Sequence, residues 1–324
     1  MRVLILGASG YIGRALFRRL QETGWAEPGR ASRGSGNASV VLEHPRVDSR
    51  NPSALAAVLN KYECVVNCVA GDFDSIAGGA ECLAKVAANS GCRRIIHLST
   101  MSVYGRLEGE VNEGAALDPG LGWYASAKCA AEGHMRAYSE KGGEVVILRP
   151  GCVYGAGSEL WVGRIARWLH AARIGDLGAA GDGWANLVHI DDVCTAVLAA
   201  VHLPMLPGAT PVFNLAGPDS PRWNEYLVDL AIGVRAVPVR RISAWRLKVD
   251  AHLAGPPLKI AEKLLDRIGV RHRWLPDPLP PSILRLWRQE MRLNSDAATK
   301  ALAIRWTDYQ TGLRDSTDWF LRCA

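Results

Sequence analysis

The chain has 324 residues, 48% of them hydrophobic and 22% charged, with a formal net charge of +6. That balance reads as an ordinary soluble globular protein with room for one large domain or two modest ones. No apolar run approaches the ~20 residues of a membrane span, and the apolar stretch at the N-terminus runs straight into a glycine turn, unlike a signal peptide.

Residues 3–6 (VLIL) are wholly apolar, as a strand buried on both faces of a parallel sheet should be. GASGYIG follows at once, and RALFRRLQE then has helical spacing with Ile12, Leu16 and Leu20 on one face. Strand, glycine turn and helix together are the setting of a dinucleotide phosphate site. Gly7 permits the tight turn, Gly10 lets the backbone approach a pyrophosphate, and Gly13 lets helix and strand pack closely. Free amides from Ser9 through Tyr11 and Ile12 then face the phosphates at the helix N-terminus.

The region 26–39 is polar and glycine-rich where a second strand belongs, and that strand is poorly written. DSRNPSALAAVLN gives a strand-end turn and a helix, and CVVNCVAG gives an apolar strand. ECLAKVAANSG is a helix, RRIIHLST a strand, YASAKCAAEGHMRAYSE a helix and VVILRPG a strand. This alternation predicts a doubly wound α/β sheet of the Rossmann type. ELWVGRIARWLHAARIG reads as an amphipathic helix, NLVHIDDVCTAVLAAVHL as a strand end and helix, and VFNLAG as a last short strand. Residues 221–324 hold Pro-broken helices with little strand signal. The expected division is a dinucleotide-binding domain over 1–155, with 184–218 returning to the sheet. Residues 156–183 and 219–324 then make a smaller, mostly helical substrate lobe.

Tyr124 and Lys128 lie on one face of the helix through YASAKCAAE and can reach one ligand. A free tyrosine, with a pKa of about 10, is a poor proton shuttle at neutral pH. A nearby ammonium favours the phenolate and lowers that value. The pair suits a general acid/base acting on a carbonyl or alcohol. The eight cysteines are scattered with no Cys-x-x-Cys, so a reduced, cytoplasmic protein without a zinc site is expected.

The glycine turn, HLSTMSVYG, the Tyr-x-x-x-Lys pair, LRPGCVYGAG and LVHIDDV in this order resemble the extended short-chain dehydrogenase/reductase family, also called the NAD-dependent epimerase/dehydratase superfamily. The resemblance implies that Thr100 completes a triad by hydrogen-bonding the substrate oxygen, with Ser99 and Ser102 as weaker candidates. It implies that Lys128 also holds the nicotinamide ribose and that Asp48 accepts from the adenine amino group. Val69, Ala70 and Gly71 then line the same groove, and Pro150 and Val153 lie beneath the nicotinamide. Tyr104, His189 and Asp192 are read as structural.

No acid stands at the end of the second strand, where NAD-using folds hold the ribose 2′-hydroxyl. Ser32 and Arg33 fill that place, and a guanidinium suits a 2′-phosphate, so NADP(H) is favoured over NAD(H). Asn-Leu-Val-His and Cys152 differ from the nucleotide-sugar members and favour a ketone or secondary-alcohol oxidoreductase. Trp123, Trp161, Trp168 and Trp184 are candidates for an apolar pocket wall. A nucleotide-sugar epimerase, dehydratase or 4-ketoreductase is the alternative, and a catalytically silent NAD(P)-sensing protein the third reading. The expected partner is a hydrophobic or nucleotide-linked small molecule, with no nucleic acid, and the resemblance implies a homodimer. Late basic residues (Arg235, Arg240, Arg241, Arg246, Lys248, Lys259, Lys263, Arg267, Arg271 and Arg273) alternate with apolar ones. They read as solvated faces of amphipathic helices, with an anionic substrate or carrier, or a membrane surface, as the other readings.

Overall fold

A computed structural model of the chain describes residues 1–32, 46–206, 208–254, 257–258, 260, 264–265 and 276–323. Its strands are Arg2–Leu6 (β1), Glu27–Ala31 (β2), Cys64–Asn67 (β3), Arg94–Leu98 (β4), Gly109–Val111 (β5), Glu144–Pro150 (β6), Cys152–Tyr154 (β7), Leu187–His189 (β8), Val212–Leu215 (β9) and Met291–Leu293 (β10). The helices that matter below are Tyr11–Gln21 (α1), Pro52–Leu59 (α2), Gly79–Ala87 (α3), Trp123–Glu140 (α4), Arg164–His170 (α5), Ile190–His202 (α6), Trp223–Gly233 (α7) and Ala244–Val249 (α8).

Alternate residues of β1 point into two different layers. Val3 and Ile5 pack with Leu16 and Leu20 of α1 and with Val193 and Val197 of α6. Leu4 and Leu6 pack with Leu55 of α2, Leu83 of α3 and Ala127 of α4. A strand apolar on both faces needs helices on both sides, and that requirement makes the sheet doubly wound. Six strands join in the order β2-β1-β3-β4-β6-β9, all parallel. A further bridge from Ser32 to Arg46 continues past β2. The order reverses between β1 and β3, and ligands of such sheets sit outside the carboxyl ends at that switch point.

The poorly written second strand exists. Its sequence EPGRA has little strand propensity, yet every residue pairs with β1, from Arg2 with Glu27 to Leu6 with Ala31. A ready row of backbone partners overrides local preference there. At Gly29 the Tyr62 ring packs directly over the backbone, and a side chain there would displace its hydroxyl end.

Two expectations change. The predicted long amphipathic helix after residue 158 is a π-helical turn, Glu159–Gly163, followed by the shorter α5, which gives way to Ala172 at φ +48°. Within the stretch read as helical, β10 pairs in parallel with β5. Three residues carry too little periodicity to announce a strand. A third apolar cluster, built on Trp168, Trp223 and Trp287, takes in Met101 and Val103 just beyond β4 and Ala216 just beyond β9. It therefore caps the carboxyl ends of those strands.

Candidate active site

Gly7 ends β1 at φ +81° and donates its N–H to the Ala31 carbonyl at 3.0 Å. A side chain there would meet the Cys68 carbonyl oxygen at 2.7 Å, and one on Gly13 would meet Ala8 Cα at 2.8 Å. The turn thus brings three backbone segments closer than any Cβ allows. Gly10 caps α1 without a side-chain bond, and no acid stands in the first turn. The helix N-terminus is left electropositive, which fits a pyrophosphate.

One cavity of about 900 Å³ runs from this turn past the N-terminal end of α4 to Trp161 and Ile283. Gly10 to Gly13, Val69 and Ala70 line one end, and Thr100, Tyr124, Lys128, Pro150 and Val153 line the middle. Gly7, Ser9, Ser32, Asp48 and Gly71 do not reach its wall. Asp48 pairs with Arg50, with Nη2 2.7 Å from Oδ2. Arg33 lies outside the described residues, as do Lys259, Lys263, Arg267, Arg271 and Arg273.

Burial treats the catalytic candidates differently. Lys128 is 4% exposed and donates from Nζ to the Leu98 carbonyl at 2.6 Å. Desolvation lowers its pKa to about 8, while Cys68 and Glu132 pull the other way. The Tyr124 phenol is raised, not lowered as the sequence suggested. Enclosure by the cavity is the larger cause, and hydrogen bonding with Thr100 opposes it. Thr100 accepts from the Ser102 amide at 3.2 Å and is itself largely buried. Behind Lys128, His97 takes a hydrogen bond with Asn67 at Nδ1 (3.2 Å), and its buried Nε2 has no partner. Desolvation first and the Lys128 charge second hold that imidazole well below its usual pKa, hence neutral.

Sequence reading missed a buried ion pair beneath the site. Glu132, one turn beyond Lys128 on α4, accepts from Arg149 Nη2 at 2.6 Å and Nε at 2.9 Å, and from the Ser99 hydroxyl at 2.6 Å. Arg149 also donates to the Tyr104 hydroxyl at 2.8 Å, which donates to Asn214 at 2.6 Å. The signal was present as a glutamate spaced four residues after Lys128 and an arginine in an otherwise apolar strand. Tyr104 is a member of this buried network. His189 accepts from the Asp191 amide at the start of α6, and Asp192 accepts from Thr307 at 2.8 Å. Of the four tryptophans, Trp123 and Trp161 line the cavity. Trp168 is core, and the Trp184 ring has the guanidinium groups of Arg222 and Arg292 over it at 4.7 and 4.5 Å.

A parallel sheet wound on both faces, opened at its switch point by a glycine turn, is the architecture of nicotinamide-dependent enzymes. The model of the NAD dependent epimerase/dehydratase family matches residues 3–216, and the chain belongs to that family. It is 28% identical over 227 residues to the 2-alkyl-3-oxoalkanoate reductase of Stenotrophomonas maltophilia, covering 64% of this chain and 67% of that protein. It is 26% identical over 216 residues to the ceramide reductase of Caulobacter vibrioides, covering 63% and 62% respectively. The UDP-glucuronic acid 4-epimerase of Bacillus cereus, solved in complex with NAD, shares the fold with a TM-score of 0.73 at 18% identity, over 100% of this chain and 99% of that one. Among the described residues no cluster of side chains suited to a metal ion occurs, and no helix is long and apolar enough to cross a membrane.

Proposed function

We propose that the chain is a reductase moving hydride between a nicotinamide dinucleotide, NADP(H) before NAD(H), and a ketone or secondary alcohol with a sizeable apolar group. The observation that carries it is the meeting of Thr100, Tyr124 and Lys128 on one cavity whose other end is the glycine turn. The dinucleotide, when bound, supplies or accepts the hydride. Tyr124, protonated at neutral pH as a phenol of ordinary pKa about 10 already is, delivers its phenolic proton to the carbonyl oxygen. The Thr100 hydroxyl holds the same oxygen, and Lys128 holds the ribose hydroxyls. Asp48, Val69, Ala70 and Gly71 serve the adenosine end, and Ser32 and Arg33 the 2′-phosphate. Residues 156–183 and 219–324 form the substrate lobe of a cytoplasmic homodimer in this reading.

Trp123, Trp161, Leu160, Ile283 and Leu286 give the substrate end an apolar wall. Two curated relatives are named as reductases, one of a 2-alkyl-3-oxoalkanoate, which agrees with a ketone bearing alkyl chains. Arg164 and Arg285 on the same wall favour the second reading, a nucleotide-sugar epimerase or dehydratase, because two guanidinium groups complement a diphosphate. A binding titration of cofactor-stripped protein with NADPH and with NADH, read by nucleotide fluorescence, separates the readings. Tight NADPH and weak NADH support the reductase, and a carbonyl screen follows. Preference for NADH favours the epimerase class, and binding of neither removes the enzyme reading.

A further inference from the structure

Helix α8, continued by the π-helical turn Asp250–Ala254, packs inward through Leu247 and Ala251, both buried. Its outward residues are not the polar set of a solvated helix. Trp245 is 73% exposed and Leu253 71%, and Ile260 and Leu264 further along are exposed as well. Arg246, Lys248 and His252 stand among them, also exposed. Asp250, the acid of the segment, is taken up by Arg173 through two contacts of 2.9 and 2.5 Å, so it does not neutralise this face. Lys248 and His252 also line a groove of about 380 Å³ with Arg106, Arg285 and Arg288, against one carboxylate, Glu108. Arg285 and Gln289 belong to that groove and to the active-site cavity at once.

A tryptophan and a leucine set among cations suit the boundary between lipid headgroups and acyl chains. The indole lies at headgroup depth, the leucine reaches the hydrocarbon, and the cations meet lipid phosphates. A second copy of the chain would set cations against cations on the same face. We propose that this face, centred on Trp245, Leu253 and Lys248, docks on an anionic lipid bilayer and holds the mouth of the cavity against it. The inference does not depend on the reductase reading, because docking is read without turnover.

The test is sedimentation of the full chain with vesicles of phosphatidylcholine alone and of phosphatidylcholine mixed with phosphatidylglycerol. The chain is expected to pellet with the mixed vesicles and to be released by salt. Trp245→Ala weakens that binding about tenfold and Lys248→Ala about fivefold, with thermal unfolding unchanged because both side chains are exposed. Lys300→Ala, on another exposed surface, leaves it as it was. A native chain that stays in the supernatant with both vesicles overturns the proposal, as does binding indifferent to Trp245→Ala. A chain that ignores vesicles, and whose mass by sedimentation velocity falls with Trp245→Ala, uses the face to meet a second copy instead.

Discussion

At the scale of single residues, burial decides what each catalytic candidate can do. The Tyr124 phenol is protonated at neutral pH even at the ordinary tyrosine pKa of about 10, and desolvation biases it further toward that form. Tyr124→Phe is expected to lower turnover by roughly 10²–10⁴-fold, the usual size of general acid catalysis. Dinucleotide affinity should stay within about twofold, since the ring remains; steady-state rates beside a fluorescence titration check both halves. Lys128 predicts a pH dependence whose sign follows from its depressed pKa. The ammonium is the form that binds, it is present below about pH 8, and it is lost as the pH rises past that value. Dinucleotide affinity should therefore be flat in mild acid and weaken above about pH 8, and Lys128→Met should abolish that dependence. Affinity measured across the range, in native and variant protein, decides it. The Tyr-x-x-x-Lys pair was legible because helical spacing alone fixes which side chains share a face. The opposite sign of the phenol shift was not legible. It depends on how the folded chain encloses the phenol.

Among the elements, those with a strong local pattern formed as written. VLIL became β1 because nothing but a buried strand suits four apolar residues before a glycine turn. Strands β2, β5 and β10 were weak or invisible, since each is short and sends few apolar side chains inward, Ala31 from β2, Val111 from β5 and Met291 and Leu293 from β10, so pairing with a neighbour's backbone carries much of its definition. The glycine turn is the element with least tolerance. Gly13→Ala drives a methyl into the backbone of Gly7 and Ala8, and α1 must move away from β1. A loss of about 1–3 kcal/mol in stability is expected from such overpacking, together with loss of dinucleotide binding. Chemical denaturation gives the first and the fluorescence titration the second. An unchanged affinity would mean that the cradle does not hold phosphate.

Across the whole molecule, one buried network ties the sheet to what covers it. Glu132 and Arg149 are each about 1% exposed and join α4 to β6. Through Tyr104 and Asn214 the chain of bonds reaches β9, and Asn214 Nδ2 donates to the Val111 carbonyl of β5 and to the Asn294 carbonyl just past β10, each at 3.2 Å. Removing one partner leaves an uncompensated buried charge. Glu132→Ala should cost about 3–5 kcal/mol, read as a lowered denaturation midpoint. It should also reduce turnover, because Ser99, which leans on Glu132, precedes Thr100. Arg149→Met combined with Glu132→Leu should recover much of the stability, since an apolar pair leaves no charge unpaired.

By itself the sequence determined the period of each strong element, the glycine turn and the pairing of Tyr124 with Lys128. These are local matters, set by spacing of two or 3.6 residues and by the absence of a Cβ. The tertiary structure alone decided that Trp123 and Trp161 face the cavity while Trp168 fills the core. It also decided that Glu132 meets Arg149 and that Asp48 turns to Arg50. Such pairings join residues far apart in the chain or dispose of side chains by what surrounds them. They follow from packing, which no local pattern encodes.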